Sequence, residues 1–204
     1  MKIGIINTNS GNFFSLFKIL EDFNCDYSIC SKPNEIKNID KIIIPGVGSF
    51  DKTMNFLSRQ FLIEEIKEQI FFKKKFLLGI CLGMQILFEK STEGDFTPGL
   101  GFLKGNVINL KEKKCKKAIP HIGWNSVVIQ NNSLIMKNIK SGTDFYFAHS
   151  FVVQNIEKNI ITTKTSYDVD FVSSISAHNI FGVQFHPEKS SVSGRILIKN
   201  FLDL

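Results

Sequence analysis

Residues 76–85 of the chain read FLLGICLGMQ, and they join an apolar run to a stretch with a helical pattern. The apolar residues before Gly79 are typical of a strand that is buried on both faces of a parallel sheet. Glycines stand two residues before and two residues after Cys81, an arrangement that permits a tight, strained turn. The sequence therefore predicts that Cys81 projects from a sharp turn between a strand ending at Ile80 and a helix over residues 82–89.

A cysteine at such a turn is suited to nucleophilic attack. The N-terminus of the following helix favours the thiolate, and the backbone N–H of Leu82 would point toward an oxyanion formed beside the sulfur. A glycine-flanked cysteine also fits a small core residue at the end of a strand. This motif alone leaves both interpretations open.

Strand and helix patterns alternate through the first half of the chain, which predicts a doubly wound sheet. The second half carries short strand-like runs and a closing helical pattern. We therefore expect an α/β fold in three layers, with a mostly parallel central sheet, helices on both faces and extra antiparallel strands in the second half. The predicted strands cover residues 2–6, 26–30, 41–44, 76–80, 126–129, 145–148, 160–164, 171–175 and 181–185, and the predicted helices cover residues 13–23, 50–72, 82–89 and 193–202.

Composition favours one compact domain over residues 1–204. Of the 204 residues 43% are hydrophobic, enough for a substantial core. The formal net charge is +6, and its lysine runs lie at residues 73–75 and 111–117. These runs lack the interleaved arginines and aromatics of nucleic-acid-binding surfaces, so we expect them to be solvent-exposed faces. Four cysteines without a signal sequence predict a reducing, cytoplasmic setting, and the lack of a C-x-x-C pair predicts no metal site. No stretch has the pattern of a signal peptide or a membrane span.

A candidate base stands in the sequence His186-Pro187-Glu188. A cysteine nucleophile needs a group that removes its proton and later protonates the leaving group, and histidine is the usual choice. The residue before a proline is pushed toward an extended conformation, in which residues 186 and 188 project to the same side. Glu188 can then orient His186 and stabilise its charge, so we predict a triad of Cys81, His186 and Glu188.

Gly46-Val47-Gly48 follows a predicted strand. Asp51 occupies the position of the third glycine of a dinucleotide fingerprint, which argues against that function. Glycines around Val47 instead let a backbone N–H turn toward the carbonyl that Cys81 would attack. We therefore predict a second oxyanion donor from Val47 or Gly48.

Three motifs in this order resemble those of the class-I glutamine amidotransferases. They are Pro45-Gly46-Val47-Gly48, the stretch GICLGMQ at 79–85, and Phe185-His186-Pro187-Glu188. Within that class, IPHIGWN at 119–125, YFAHS at 146–150 and Lys189 resemble the glutaminase subunits of imidazole glycerol phosphate synthases. The resemblance extends from Gly11 and Asn12 to residues 200–201, which is nearly the whole chain.

The resemblance implies a cofactor-free hydrolysis of glutamine to glutamate and ammonia. Cys81 would attack the side-chain amide, with His186 as acid and base. The oxyanion would lie between backbone N–H groups of Leu82 and of Val47 or Gly48. The residues that the resemblance assigns to glutamine binding are Gly48, Gln85, Glu93, Ser150 and Phe151.

The resemblance also implies a separate partner chain, because the glutaminase motifs use the length from 46 to 190 and leave no room for an acceptor site. In the family the partner is a (β/α)₈-barrel cyclase subunit, and the heterodimer makes imidazole glycerol phosphate and an aminoimidazole carboxamide ribonucleotide in histidine biosynthesis. Asn12, Tyr146 and Lys189 would lie on the docking face.

Two alternatives remain open. The N-terminal turn, NTNSGNF at 7–13, departs from the family pattern of an acidic or tyrosyl residue before G-x-G-N-L. A paralogous subunit that supplies ammonia for amidination of a surface-polysaccharide sugar is therefore the first alternative. The second is a non-enzymatic thiol sensor on the same fold, which would have no need of His186, of Glu188 or of a glycine-rich oxyanion strand.

Overall fold

The computed structural model describes residues 1–9, 13–94 and 96–204. Its strands are β1 (Lys2–Ile6), β2 (Asp26–Cys30), β3 (Lys41–Ile44), β4 (Phe76–Ile80), β5 (Lys90–Ser91), β6 (Thr97–Pro98), β7 (Asn106–Asn109), β8 (His121–Ile129), β9 (Thr143–His149), β10 (Phe151–Gln154), β11 (Ile161–Tyr167), β12 (Val169–Ala177) and β13 (Ile180–Val183). Its α-helices are α1 (Phe14–Asp22), α2 (Pro33–Lys37), α3 (Phe50–Arg59), α4 (Leu62–Lys67), α5 (Leu82–Gln85) and α6 (Ser191–Leu202). A π-helical turn covers Glu68–Phe72, and 3₁₀ turns cover Leu134–Met136, Lys158–Ile160 and Pro187–Lys189.

Nine strands form one sheet in the order β2-β1-β3-β4-β13-β12-β11-β8-β9. The first five strands in this order pair in parallel. Each later pair, from β13 to β9, is antiparallel. The prediction of an α/β fold with a parallel centre and added antiparallel strands is confirmed.

Helices cover both faces of the parallel half because its strands are apolar on both sides. Ile43 of β3 packs into the core that includes α1 and α6, whereas its neighbour Ile42 packs into the core that includes α2, α3 and α4. Leu78 and Leu77 of β4 divide in the same way. Since successive side chains of a strand point to opposite faces, this alternation builds the predicted three layers.

A smaller sheet, in the order β10-β7-β5-β6, was not predicted. Its strands are two to four residues long, and segments of that length carry no readable period. Strand β10 begins at Phe151, so this sheet positions one of the residues assigned to glutamine binding.

The helix predicted over 82–89 is wrong in length, because α5 ends at Gln85. The carbonyl oxygen of Ile86, which a longer helix would use internally, accepts the N–H of Leu100 at 2.7 Å. Periodicity in the sequence shows an apolar face, but it does not show that a distant loop takes a helix carbonyl.

The helical region predicted over 50–72 is divided. Phe61 adopts a left-handed conformation with φ of 56° and separates α3 from α4. The last turn before β4 is the π-helical turn at Glu68–Phe72. Apart from Gln60, which lies in the same break, the remaining residues of the predicted region are helical as expected.

Gly83 is the point of closest approach between α5 and β3, and it provides a test of the fold. A Cβ on Gly83 would lie 1.8 Å from the carbonyl oxygen of Ile44, and neither backbone can yield easily. We expect Gly83→Ala to lower the free energy of unfolding, measured with urea, by about 3 kcal/mol or more. The control is Gly101→Ala, where a Cβ would meet nothing within 4 Å and the φ of +64° should cost about 1 kcal/mol. Equal losses in the two variants would contradict this account.

Candidate active site

Cys81 occupies a strained turn between β4 and α5. Its φ is 53° and its ψ is −108°, a conformation that residues with a side chain rarely adopt. Its N–H donates to the carbonyl of Val183 at 2.7 Å, which fixes the turn to the end of β13. A Cβ on Gly79 would lie 2.6 Å from the carbonyl oxygen of Gly83, so the space inside the turn is too small for any other residue at 79. The structure therefore has the sharp turn that the sequence predicts.

Cys81 lines a pocket of about 210 Å³. This volume suits a single amino acid better than a nucleotide or a larger cofactor. The five residues predicted to bind glutamine all line it, and so do Val47 and Leu82 of the predicted oxyanion site. The remaining lining residues were not among the predicted site residues; they are Gly46, Pro120, Ala148 and His149.

The segment after β13 places His186 beside Glu188. Nδ1 of His186 lies 2.7 Å from Oε1 of Glu188, and the two side chains are 1% and 13% exposed. The N–H of His186 donates to the carbonyl of Tyr146 at 2.8 Å, and its carbonyl accepts the hydroxyl of Ser190 at 2.6 Å. The structure thus brings the predicted base and its predicted orienting acid into direct contact.

Opposing effects govern the charge of His186. Burial by itself lowers the pKa of His186, but the nearby negative charge of Cys81, with a further contribution from Glu188, outweighs it and raises the pKa to about 10. Among the described residues, the buried Nε2 of His186 has no hydrogen-bond partner of ordinary geometry, so Cys81 acts on the ring mainly through its charge. This environment favours the protonated imidazolium form of His186.

The predicted oxyanion donors lie on two separate elements. Leu82 is the first residue of α5, where backbone N–H groups have no partner within the helix. Gly48 has a φ of 126°, which glycine alone adopts readily. Val47 also lines a second cavity, of about 20 Å³, together with His186 and Glu188. The segment around Val47 therefore borders both the pocket and the candidate base.

Glu93 is half-buried at the wall of the pocket. Burial raises the pKa of its carboxyl group, and the N–H of Phe50, which donates to Oε2 at 3.1 Å, acts in the opposite direction. A partly desolvated carboxylate is stabilised by a nearby cation. Glu93 is therefore suited to receive the ammonium group of an amino acid.

Two buried histidines outside the predicted triad support the far wall of the pocket. Nδ1 of His149 lies 2.9 Å from the carbonyl oxygen of Phe151, and its Nε2 lies 3.0 Å from Nδ1 of His121. Nε2 of His121 lies 3.3 Å from Nδ2 of Asn125. Because a carbonyl can only accept and an amide NH₂ can only donate, both rings are neutral with their proton on Nδ1. These two histidines were not among the predicted site residues, and their only signal in the sequence is their position inside two of the family motifs.

The predicted docking residues are placed in part. Asn12 lies outside the described residues. Nζ of Lys189 lies 5.8 Å from the ring centre of Tyr146, and the ring of Trp124 meets that of Tyr146 edge-on at 6.3 Å. Ile122 and Trp124 are 63% and 55% exposed, so an apolar surface adjoins these two residues.

The described part of the chain contains no candidate metal site that would compete with the Cys81 pocket. Within residues 1–9, 13–94 and 96–204, no group of three or more His, Cys, Asp or Glu side chains could hold a metal ion. In the same residues, no helix has the length and apolar character needed to cross a membrane. A wider cavity of about 580 Å³ shares none of its lining residues with the Cys81 pocket.

Comparison with known proteins agrees with this geometry. Residues 5–204 match the family described as "Glutamine amidotransferase class-I". The chain is 44% identical over 199 residues to the "Imidazole glycerol phosphate synthase subunit HisH" of Caldanaerobacter subterraneus subsp. tengcongensis, covering 98% of this chain and 96% of the relative. It is 43% identical over 203 residues to the protein of the same name from Pyrococcus furiosus, covering 98% and 97%. A solved structure described as a glutamine amidotransferase aligns with a TM-score of 0.77 over 98% of this chain and 97% of that one, at 15% identity, which supports the fold alone.

The neutral histidine pair predicts a loss of stability in mild acid. Burial lowers the pKa of His149 to about 3 and that of His121 to about 4. In the unfolded chain each histidine takes up a proton below about pH 6.5. Between the pKa values of the folded protein and about pH 6.5, the unfolded state therefore binds more protons than the folded state. The free energy of unfolding falls as the pH is lowered through this range. From pH 7 to pH 5 we expect a loss of about 2 kcal/mol for each of the two histidines.

Urea unfolding of His121→Phe at the two pH values tests this expectation. The phenyl ring keeps the stacking position beside Tyr167, whose ring centre lies 4.0 Å from that of His121, but it cannot titrate. The variant should lose about 2 kcal/mol less than the wild type between pH 7 and pH 5. His178→Asn, at an exposed turn between β12 and β13, should leave the pH dependence unchanged. An equal drop in wild type and His121→Phe would refute the contribution of the pair.

Proposed function

This chain belongs to the class-I glutamine amidotransferase family, and on that premise we propose that it is the glutaminase subunit of an imidazole glycerol phosphate synthase. It hydrolyses glutamine to glutamate and ammonia and passes the ammonia to a synthase subunit for histidine biosynthesis. The observation that carries the proposal is the contact of His186 with Glu188 near Cys81, which itself lines a pocket sized for one amino acid. The names of the relatives that match nearly the whole chain support the choice of synthase.

In the proposed first half-reaction, the thiolate of Cys81 attacks the side-chain amide carbon of glutamine. A bond forms between Sγ and that carbon, and the carbonyl oxygen takes the negative charge. Backbone N–H groups of Leu82 and of the Val47 segment stabilise this oxyanion. His186 gives its proton to the leaving nitrogen, so ammonia departs and a glutamyl thioester remains.

In the second half-reaction, water attacks the thioester. His186, now neutral, takes a proton from that water, and the sulfur leaves as a thiolate while glutamate forms. The Nδ1–H of His186 donates a hydrogen bond to the carboxylate of Glu188 throughout. The proton transfers of both half-reactions therefore take place at Nε2. The contact of His186 with Glu188 therefore sets which ring nitrogen is chemically active.

The walls of the pocket suggest how glutamine is held. Glu93 receives its α-ammonium group, since that carboxylate is partly desolvated and lacks a cation of its own among the partners described for it. Gln85 and the backbone at Gly48, Ser150 and Phe151 supply polar groups around the remainder of the substrate. These assignments follow the family resemblance, and their support here is that all of them line one pocket.

Ammonia must reach an acceptor before it is protonated, so we propose a heterodimer with a (β/α)₈-barrel cyclase subunit in the cytoplasm, where thiols such as Cys81 stay reduced. Tyr146 and Lys189 are proposed for the docking face, and the exposed Ile122 and Trp124 extend it with apolar area. Exposed aromatic and apolar groups beside a polar rim are typical of protein–protein interfaces.

Glutamine hydrolysis by the purified chain, alone and with a histidine-pathway cyclase subunit and its phosphoribulosyl substrate, tests the proposal. We expect strong stimulation by the partner and loss of hydrolysis in Cys81→Ser. The control is Cys115→Ser, because Cys115 is half-buried outside the pocket and donates to the carbonyl of Tyr167 at 3.4 Å, a bond that serine can keep. Stimulation only by a sugar-amidinating synthase would favour the paralogous function, and hydrolysis by Cys81→Ser at the wild-type rate would remove Cys81 from the reaction.

Glu188→Gln tests the orienting acid. Loss of its negative charge removes one of the effects that raise the pKa of His186, so the alkaline limb of the pH–rate profile should move to lower pH. We expect kcat/KM to fall by about 10²-fold or more, because the imidazole tautomer is no longer held. The matched control is Glu64→Gln, which removes an exposed acid of α4. Unchanged rate and unchanged pH profile in Glu188→Gln would show that Glu188 has no part in the reaction.

A further inference from the structure

Gln184 is a fully buried amide for which the triad mechanism has no use. It follows β13 directly, with 0% exposure, and its backbone N–H donates to the carbonyl of Ser173 at 2.9 Å. Its side-chain Nε2 lies 3.6 Å from Sγ of Cys81, within the range of an N–H to sulfur hydrogen bond. A buried amide is costly unless its polar atoms are paired, so an apolar side chain would fit a purely structural position better.

Neighbouring groups fix which end of this amide faces the sulfur. Nε2 of Gln85 lies 2.9 Å from the carbonyl oxygen of Phe151, which can only accept, so the NH₂ of Gln85 must be on that side. The same nitrogen lies 3.0 Å from Oε1 of Gln184 and donates its second hydrogen there. With its oxygen used in this way, Gln184 must present its NH₂ to Cys81. The direction of every hydrogen bond thus follows from a single backbone carbonyl.

We propose that Gln184 is a hydrogen-bond donor to the nucleophile, holding the sulfur of Cys81 in place and stabilising its anionic form. This role rests on the proposed glutaminase function. An amide N–H does not give up its proton at neutral pH, so Gln184 stabilises negative charge on sulfur without neutralising it. His186 differs in this respect, because its proton is needed by the leaving ammonia.

The same donor acts in both half-reactions. Sulfur loses its negative charge when the thioester forms, and it regains that charge when water displaces it. An amide that already points at Sγ needs no rearrangement to stabilise the departing thiolate. Because Gln85 and Phe151 also line the glutamine pocket, the bonds that orient Gln184 also connect the position of the sulfur to the wall of that pocket.

The rate at which iodoacetamide alkylates Cys81 in the full chain tests this role. The rate is measured by mass spectrometry of the Cys81 peptide at pH values from about 5 to 9. Gln184→Met keeps the length of the side chain but removes the donor. We expect alkylation near neutral pH to be about tenfold slower, as for loss of a hydrogen bond to a charged group, and to recover as the pH rises. Gln184→Glu keeps the acceptor for Gln85 but places an oxygen toward the sulfur. Its alkylation near neutral pH should therefore be at least as slow as that of Gln184→Met.

The matched control is Ser174→Ala, which removes another buried hydrogen bond, at 2.7 Å to Thr163, from the neighbouring strand β12. It should lose stability while alkylation stays at the wild-type rate. Alkylation of both Gln184 variants at the wild-type rate, or slowing by the same factor at every pH, would overturn the proposal. Because alkylation needs neither glutamine nor a partner, that result would leave the proposed function intact. Failure of the wild type to hydrolyse glutamine with its partner would instead overturn the proposed function alone.

Discussion

The hydrogen bond from the N–H of Cys81 to the carbonyl of Val183 joins the two strands on which the site depends. Strands β4 and β13 are parallel neighbours, with Ile80 opposite Val183 in their register. Their carboxyl ends therefore finish side by side, although about a hundred residues separate them along the chain. The turn after one strand carries the sulfur, and the segment after the other carries Gln184 and the candidate base. Parallel pairing alone brings these groups together.

The site contrasts two ways of burying histidine. His186 is buried beside negative groups, which raise its pKa, so it keeps its proton at neutral pH. His149 and His121 are buried among carbonyl and amide groups without a compensating charge, so their pKa values fall and both remain neutral. Burial of the same side chain therefore yields a charged group near Cys81 in one case and neutral rings at the pocket wall in the other. The deciding factor is whether an anion lies within reach of the ring.

The amino-acid sequence was sufficient to predict features that depend on local pattern. The strands at 2–6, 26–30, 41–44 and 76–80 have the predicted bounds, and the turn at Cys81 follows from its flanking glycines. The contact between His186 and Glu188 was also predicted, but its geometry was not: only His186 is extended, and Glu188 reaches it from the 3₁₀ turn Pro187–Lys189. The early end of α5 was not predicted, because it depends on a carbonyl group that pairs with a distant loop. The strands of the smaller sheet were not predicted, because two to four residues are too few to show a period.

Gln184 and the histidine pair were not predicted for a different physical reason. A buried glutamine has no periodicity or spacing of its own, and its direction is set by Gln85 and by the carbonyl of Phe151. Those partners lie about 100 and 30 residues away along the chain and become neighbours only when β13, α5 and β10 are assembled. A polar group that acts through long-range partners is visible only in the folded molecule.

Three hydrogen bonds connect Tyr146, on the proposed docking face, with His186 and Ser190. Tyr146 accepts the N–H of His186 and donates its own N–H to the hydroxyl oxygen of Ser190, while that hydroxyl donates to the carbonyl of His186. Three hydrogen bonds thus connect β9 to the turn that holds His186. A partner that displaces Tyr146 must either carry this turn with it or break bonds that are largely buried, and breaking them is costly. Movement of the turn is the less costly response, so a displacement of Tyr146 would shift His186 even though Tyr146 does not line the Cys81 pocket.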